Sequence, residues 1–181
     1  MVNIKQQPPT KTEAAALALS KFCTKGTVLA VDPSIGSASS MPGYAIAVDG
    51  VMVDSGILTI NPREPHNKRL AGIQAQLRKL TPNPNVLICE AIAPMLSVGG
   101  ANVIQLHWAV GAIQATFPDA GVLLIPNQTW KKYLRGVKLD NYIKCDETDA
   151  LALLLTYFHL AKGMVINAED VHTYMRNPTL P

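Results

Sequence analysis

Thr27-Val28-Leu29-Ala30-Val31-Asp32-Pro33 is the stretch on which the fold turns. Thr27–Val31 is short, apolar and rich in β-branched residues, with no polar alternation, the pattern of a central strand buried on both faces. The run stops on an acid, and Pro33 opens a loop over Ser34–Gly43 that is rich in Ser, Gly and Pro. Val86–Cys89 repeats the pattern and stops on Glu90, and Gly121–Ile125 reads as another buried strand. Between the first two lie strands over Tyr44–Val48 and Val51–Ile60, joined by Asp49-Gly50, a strong hairpin turn signal.

Helices fill the intervals. Thr10 followed by Glu13 reads as a capping box for a short helix running to about Cys23, where Gly26 breaks it. Glu64–Leu80 carries Leu70, Ile73, Leu77 and Leu80 on one stripe, with Lys68, Arg69, Arg78 and Lys79 read as ordinary helix surface. Asn102–Phe117 is an apolar helix without charge, suited to core burial or a subunit interface, and His107 and Trp108 are assigned to the same role. Gln128–Leu134 is short and basic. Asp146–Lys162 is strongly helical and closed by Gly163, with Asn167 capping a last short helix. The expected architecture is α/β: a mixed sheet, made of an antiparallel hairpin trio plus parallel strands, flanked by helices. Residues 1–26 are read as an N-terminal extension with a short helix, and 27–181 as a single domain.

Composition narrows the class. The chain has 181 residues, 48% of them hydrophobic and 16% charged, which excludes a wholly disordered chain and a coiled coil. Cys23, Cys89 and Cys145 are far apart and form no C-x-x-C pair, so a disulfide scaffold or zinc site is not expected and a reducing compartment fits. Ala91–Pro118 has no Asp, Glu, Lys or Arg, but prolines, glycines and amides interrupt it, so it is not read as a membrane span. The expectation is a soluble, intracellular, cytoplasmic protein with no membrane partner.

Chemistry concentrates in the acids. Asp32 and Glu90 each follow a buried strand, where α/β sheets present functional side chains. Asp146 and Asp149 share one face of the first turn of a helix, where the macrodipole favours negative charge. Taken singly, Asp146 and Asp149 also suit a helix cap, and Asp32 a turn. Glu90, directly after Val-Leu-Ile-Cys, should sit near the core, and a carboxylate there wants a cation.

The ordered set resembles the RuvC-type Holliday junction resolvases. Val28–Ser34 with Gly43-Tyr44-Ala45-Ile46 is similar to their first motif, and Val86–Glu90 to their second acidic strand. Pro126–Gly136 resembles the segment that carries a DNA-contacting lysine, and Asp146-x-x-Asp149-Ala150-Leu151-Ala152 resembles their closing helix. The likeness covers roughly Val28 to Leu160 and implies an RNase H-like fold. It implies a crossover junction endodeoxyribonuclease that cleaves branched DNA such as four-way junctions, leaving a 5′-phosphate and a 3′-hydroxyl. Asp32, Glu90, Asp146 and Asp149 would be its catalytic metal ligands, with Asp32 bridging two ions on the order of 4 Å apart. Oxygen-only ligands without a His/Cys cluster select Mg²⁺, with Mn²⁺ as a substitute.

Lys131 matches the family's catalytic-site lysine best. Lys131, Lys132, Arg135, Lys138 and Lys144 against Asp140 make a local charge of +4 suited to DNA phosphates, although lysines on a short helix also read as solvated surface. Trp130 is read as core packing in preference to base stacking. Two symmetric nicks call for a homodimer. Two other readings keep the fold: a nuclease acting on RNA or an RNA–DNA hybrid, and a non-catalytic junction-binding protein.

The first loop is longer than the family's, Ala91–Val98 lacks an aromatic wedge, and the stretch from Gly136 to Asp146 is short. These departures fall on substrate recognition and resemble compact phage-type members, including broader debranching nucleases. The formal charge of +3 hides a segregation: with four of 13 acids at one point, nine remain against 16 Lys and Arg.

Overall fold

The structure is a computed structural model that describes residues 8–36, 40–92, 100–134 and 146–162, leaving out the side chains of 100–102, 133, 134 and 146. Its elements are α1 (Lys11–Ala18), a 3₁₀ turn (Ser20–Cys23), β1 (Thr27–Asp32), β2 (Gly43–Val48), β3 (Val51–Ile57), α2 (His66–Leu80), β4 (Val86–Ala91), α3 (Gly100–Thr116), β5 (Gly121–Pro126), α4 (Asn127–Leu134) and α5 (Asp146–Lys162). The sheet order is β3-β2-β1-β4-β5, with β1–β2 and β2–β3 antiparallel and β1–β4 and β4–β5 parallel. This is the mixed sheet expected from the sequence. β3 ends three residues before the expected Ile60, although Leu58 and Ile60 are still buried, and α2 begins at His66 rather than Glu64. Pro65 occupies its N-cap position, where the missing N–H costs no helix bond. Gly163 and Asn167 lie outside the described residues.

Local chemistry sets these elements. The capping box forms: the Thr10 N–H donates to Glu13 Oε2 at 2.7 Å, and the Glu13 N–H donates to Thr10 Oγ1 at 3.3 Å. Those bonds hold the Glu13 carboxyl below its ordinary pKa. At the hairpin, Asp49 and Gly50 take φ of 52° and 85°, the left-handed pair that matches the twist of the flanking strands. Asn85 aligns the strand starts. Its Oδ1 accepts from the Thr27 N–H at 2.7 Å, its N–H donates to Thr27 O at 2.7 Å, and its carbonyl accepts from the Gly121 N–H at 2.9 Å. β1, β4 and β5 therefore start level.

Two apolar layers sandwich the sheet. Val28, Ala30, Ala45, Ala47, Val86 and Ile88 face α5, and Leu123 and Ile125 of the same layer lie against α1 and α4. Leu29, Val31, Ile46, Leu87 and Cys89 face Ile73 and Leu77 of α2 and Ile113 of α3. Each such Leu or Ile stabilises the fold by roughly 1.5–3 kcal/mol relative to exposure. α5 packs on the strands and is flanked by α1, the 3₁₀ turn and α4, so it is buried almost all round. Tyr157 reaches across it, and its hydroxyl donates to Leu19 O at 2.8 Å. No helix among the described residues is long and apolar enough to cross a membrane.

Candidate active site

The register carries the first two acids to one place. Val31 pairs with Cys89, so Asp32 and Glu90 are the next residues on adjacent parallel strands. Side chains alternate along a strand. Val28 and Ala30 on β1, and Val86 and Ile88 on β4, face α5, and Asp32 and Glu90 continue those rows. Both are partly buried.

The first turn of α5 lies at the same end of the sheet. Ser55 of β3 donates its hydroxyl proton to Glu147 Oε1 at 2.7 Å. Ser55 pairs with Ala45, which pairs with Ala30, two residues before Asp32. This tether brings the Asp146–Asp149 turn toward the strand ends that carry Asp32 and Glu90. Thr148 is buried and Asp149 partly buried. The side chain of Asp146 lies outside the described residues, and among these no three His, Cys, Asp or Glu are grouped closely enough to hold an ion.

Glu90 is oriented from β5. Asn127, the first residue of α4, donates from Nδ2 to Glu90 Oε1 at 2.9 Å. Ala91 pairs with Pro126, which puts Asn127 beside the exit of β4. On the opposite face the Cys89 thiol is fully buried. Burial pushes its pKa up first, and the charge of Asp32 adds to the shift. Tyr44, next to the β1–β2 pair Asp32–Gly43, donates to Asp54 Oδ2 at 3.2 Å. Burial, then the charge of Asp54, that hydrogen bond and the charge of Glu147 raise its phenol.

α4 presents its lysines to solvent. Lys131 and Lys132 are exposed, and Lys131 Nζ sits 5.0 Å from the centre of the Trp130 ring. Trp130 itself is buried against the α5-facing layer, as the packing reading expects. Arg135, Lys138 and Lys144 lie outside the described residues.

One expectation needs correcting. Arg69 is not ordinary helix surface: it is 8% exposed, on the stripe with Ile73 and Leu77. Of the two roles expected for His107 and Trp108, core or subunit interface, their exposure excludes the core: both are exposed, Trp108 by 52%. α3 rests on α2 and turns this side outward.

Asn127 and Glu147 were missed by sequence reasoning for different reasons. Asn127 has no partner until β4 and β5 are known to be neighbours. Glu147 stands at a position that a D-x-x-D pattern leaves open. For Arg69 a signal existed, since residues 69, 73 and 77 recur every four positions on one helix face.

No protein-family model matches the sequence, and no curated protein matches it. The fold does have solved counterparts. RuvC of Thermus thermophilus in complex with a Holliday junction substrate superposes with a TM-score of 0.57 at 21% identity, over 76% of this chain and 96% of that one. A second structure of Thermus thermophilus RuvC gives 0.55 at 22% identity and the same coverage. The chain has the RNase H-like fold of RuvC-type resolvases, as its motif order implies.

Proposed function

We propose that this chain is a metal-dependent endonuclease for branched DNA, a Holliday junction resolvase or debranching enzyme acting in the cytoplasm. One observation carries the reading: Asp32 and Glu90 end level on adjacent parallel strands and face the helix that begins with Asp146 and Asp149, in a fold shared with RuvC.

The donor set suits a hard divalent cation. Asp32 and Glu90 offer only oxygen, and two neighbouring half-buried carboxylates repel each other unless a cation joins them. Asp32, Glu90, Asp146 and Asp149 are the residues that would hold Mg²⁺, or Mn²⁺ in its place. When bound, such ions activate water and stabilise the leaving oxygen of a phosphodiester. The protein's share is positional. Asn127 fixes one oxygen of Glu90, and Ser55 anchors the turn that carries the two aspartates. Lys131 contacts a phosphate near the scissile bond, while Lys132, Arg135, Lys138 and Lys144 track the backbone. Such contacts are insensitive to sequence and weaken with salt.

A homodimer places two sites across a junction. Its surface is the outward side of α3 with the uncovered part of β5. Ile104 and Trp108 are 53% and 52% exposed, and nothing lies within 4 Å of a side chain built at Gly111. Val122 and Leu124 pair with Leu87 and Cys89 on the same sheet face, yet remain 41% and 40% exposed. An apolar surface of this kind marks an association site.

The test is cleavage of a labelled four-way junction by the purified protein across Mg²⁺ and Mn²⁺ concentrations, beside linear duplex and RNA–DNA hybrid. Symmetric nicks in the junction are expected, and Asp146→Asn should abolish them. No cleavage with any metal overturns the enzymatic reading. Faster hybrid cleavage moves the substrate to RNA, and activity that survives Asp146→Asn overturns the site.

A further inference from the structure

We infer that Arg69 is a positioning residue for Asp32, working through the loop that leaves β1; the inference rests on the proposed metal-dependent site. Arg69 projects from α2 on the stripe that carries the core residues Ile73 and Leu77. An apolar side chain there would simply extend the core. Instead the guanidinium crosses the layer and ends on the loop. Arg69 Nη1 donates to Gly36 O at 2.7 Å and to Ile35 O at 3.3 Å, four and three residues after Asp32. Its Nε is buried without a hydrogen-bond partner among the described residues. A buried cation whose bonds among the described residues go to backbone carbonyls is costly to keep for stability alone. Its strong bonds go to the segment whose path sets where Asp32 points.

The same four residues are secured from two other directions. Ser34 is buried, and its Oγ accepts from the Gly36 N–H at 3.2 Å and from the Ser40 hydroxyl at 3.2 Å while donating to Ser40 O at 3.1 Å. Gly36 has φ of 70° and lies so close to Ile60 that a Cβ would fall 2.7 Å from the Ile60 side chain. A loop tied this way holds one backbone path out of β1. Ligand carboxylates need such support to bind an ion in one geometry. Arg69 thus acts from the face of the sheet opposite α5, behind the proposed centre.

The experiment compares wild type with Arg69→Met, Arg69→Lys and Ser34→Ala. It measures Mn²⁺ affinity of the DNA-free protein by calorimetry, junction affinity, kcat and thermal unfolding. Arg69→Met is expected to weaken Mn²⁺ binding at least fivefold and lower kcat at least tenfold, with junction affinity within twofold of wild type. Arg69→Lys should recover part of both losses, and Ser34→Ala should show the same pattern more weakly. A merely structural Arg69 would lower the melting temperature and leave the Mn²⁺ affinity of the folded protein alone. Folded Arg69→Met with Mn²⁺ affinity and kcat within twofold of wild type overturns the inference. Should Arg69→Met fail to fold, Ser34→Ala decides, and wild-type values there overturn it equally. Wild-type protein that neither binds Mn²⁺ nor cleaves the junction overturns the functional reading and the inference with it, a result distinct from failure of the variants alone.

Discussion

Asn127 Nδ2 donates a 2.9 Å hydrogen bond to Glu90 Oε1, so the first residue of α4 aims the acid that ends β4. Asn127→Ala removes that donor and frees the carboxylate to rotate. The stability loss is about 0.5–1.5 kcal/mol, that of one hydrogen bond. Junction cleavage should slow by roughly tenfold, about 1.4 kcal/mol in the barrier, while junction affinity holds. Chemical denaturation and single-turnover cleavage check the two parts, and unchanged cleavage would remove Asn127 from the site.

Lys131 is exposed over the face of a buried tryptophan, which makes it separable from folding. Lys131→Ala should leave thermal unfolding unchanged and reduce the slope of log affinity against log salt by about 1. Junction binding measured over a salt series reads this directly. An unaltered slope would mean that Lys131 touches no phosphate.

Ser55 and Glu147 join β3 to the first turn of α5 over 92 residues of chain. Ser55→Ala strands a partly buried carboxylate oxygen, at a cost of about 1–3 kcal/mol. Urea unfolding should show it. Hydrogen exchange should rise at Asp146–Ala150 before it rises in the middle of α5, because the tether holds only the helix start.

Cys23 and Cys89 are buried, and burial raises both thiols above their ordinary pKa, with Asp32 adding to the effect at Cys89. At pH 8 both are therefore protonated in the folded protein. In a Cys145→Ser background, neither should react with a disulfide reagent until denaturant unfolds the chain. Stoichiometric labelling of native protein within minutes would contradict the burial of these strand and turn residues.

Gly50 turns the β2–β3 hairpin at φ of 85°, and a Cβ there would meet the Cys23 carbonyl oxygen at 2.5 Å. Gly50→Ala combines a left-handed backbone with a clash against the 3₁₀ turn. The loss should exceed roughly 1 kcal/mol, visible in thermal unfolding. The strand content by circular dichroism should remain, because the β2–β3 register also depends on buried Met52 opposite Ala47.

The candidate site was legible in proportion to how local its signals are. Asp32 and Glu90 stood out because each ends an unbroken apolar run, and such a run has few places to go but a sheet interior. The α5 boundaries, Asp146–Lys162, were readable because an acidic first turn and a long apolar body are both local features. Arg69 was misassigned because charge outweighed its four-residue spacing to Ile73 and Leu77. Trp108 stayed between core and interface because an uncharged helix reads either way, whereas the structure shows that α3 spends one face on α2 and leaves the other open.

By itself the sequence determined the elements, the mixed character of the sheet and the acids worth watching, since propensity, capping, turn chemistry and hydrophobic period act over a few residues. The tertiary structure alone decided which strands are neighbours, and with that the level placement of Asp32 and Glu90, the reach of Asn127 to Glu90, and the span of Arg69 to the loop after β1. Those contacts join residues tens of positions apart. Their partners are set by strand order and by which face of a helix meets the sheet, and both emerge only when the whole core packs at once.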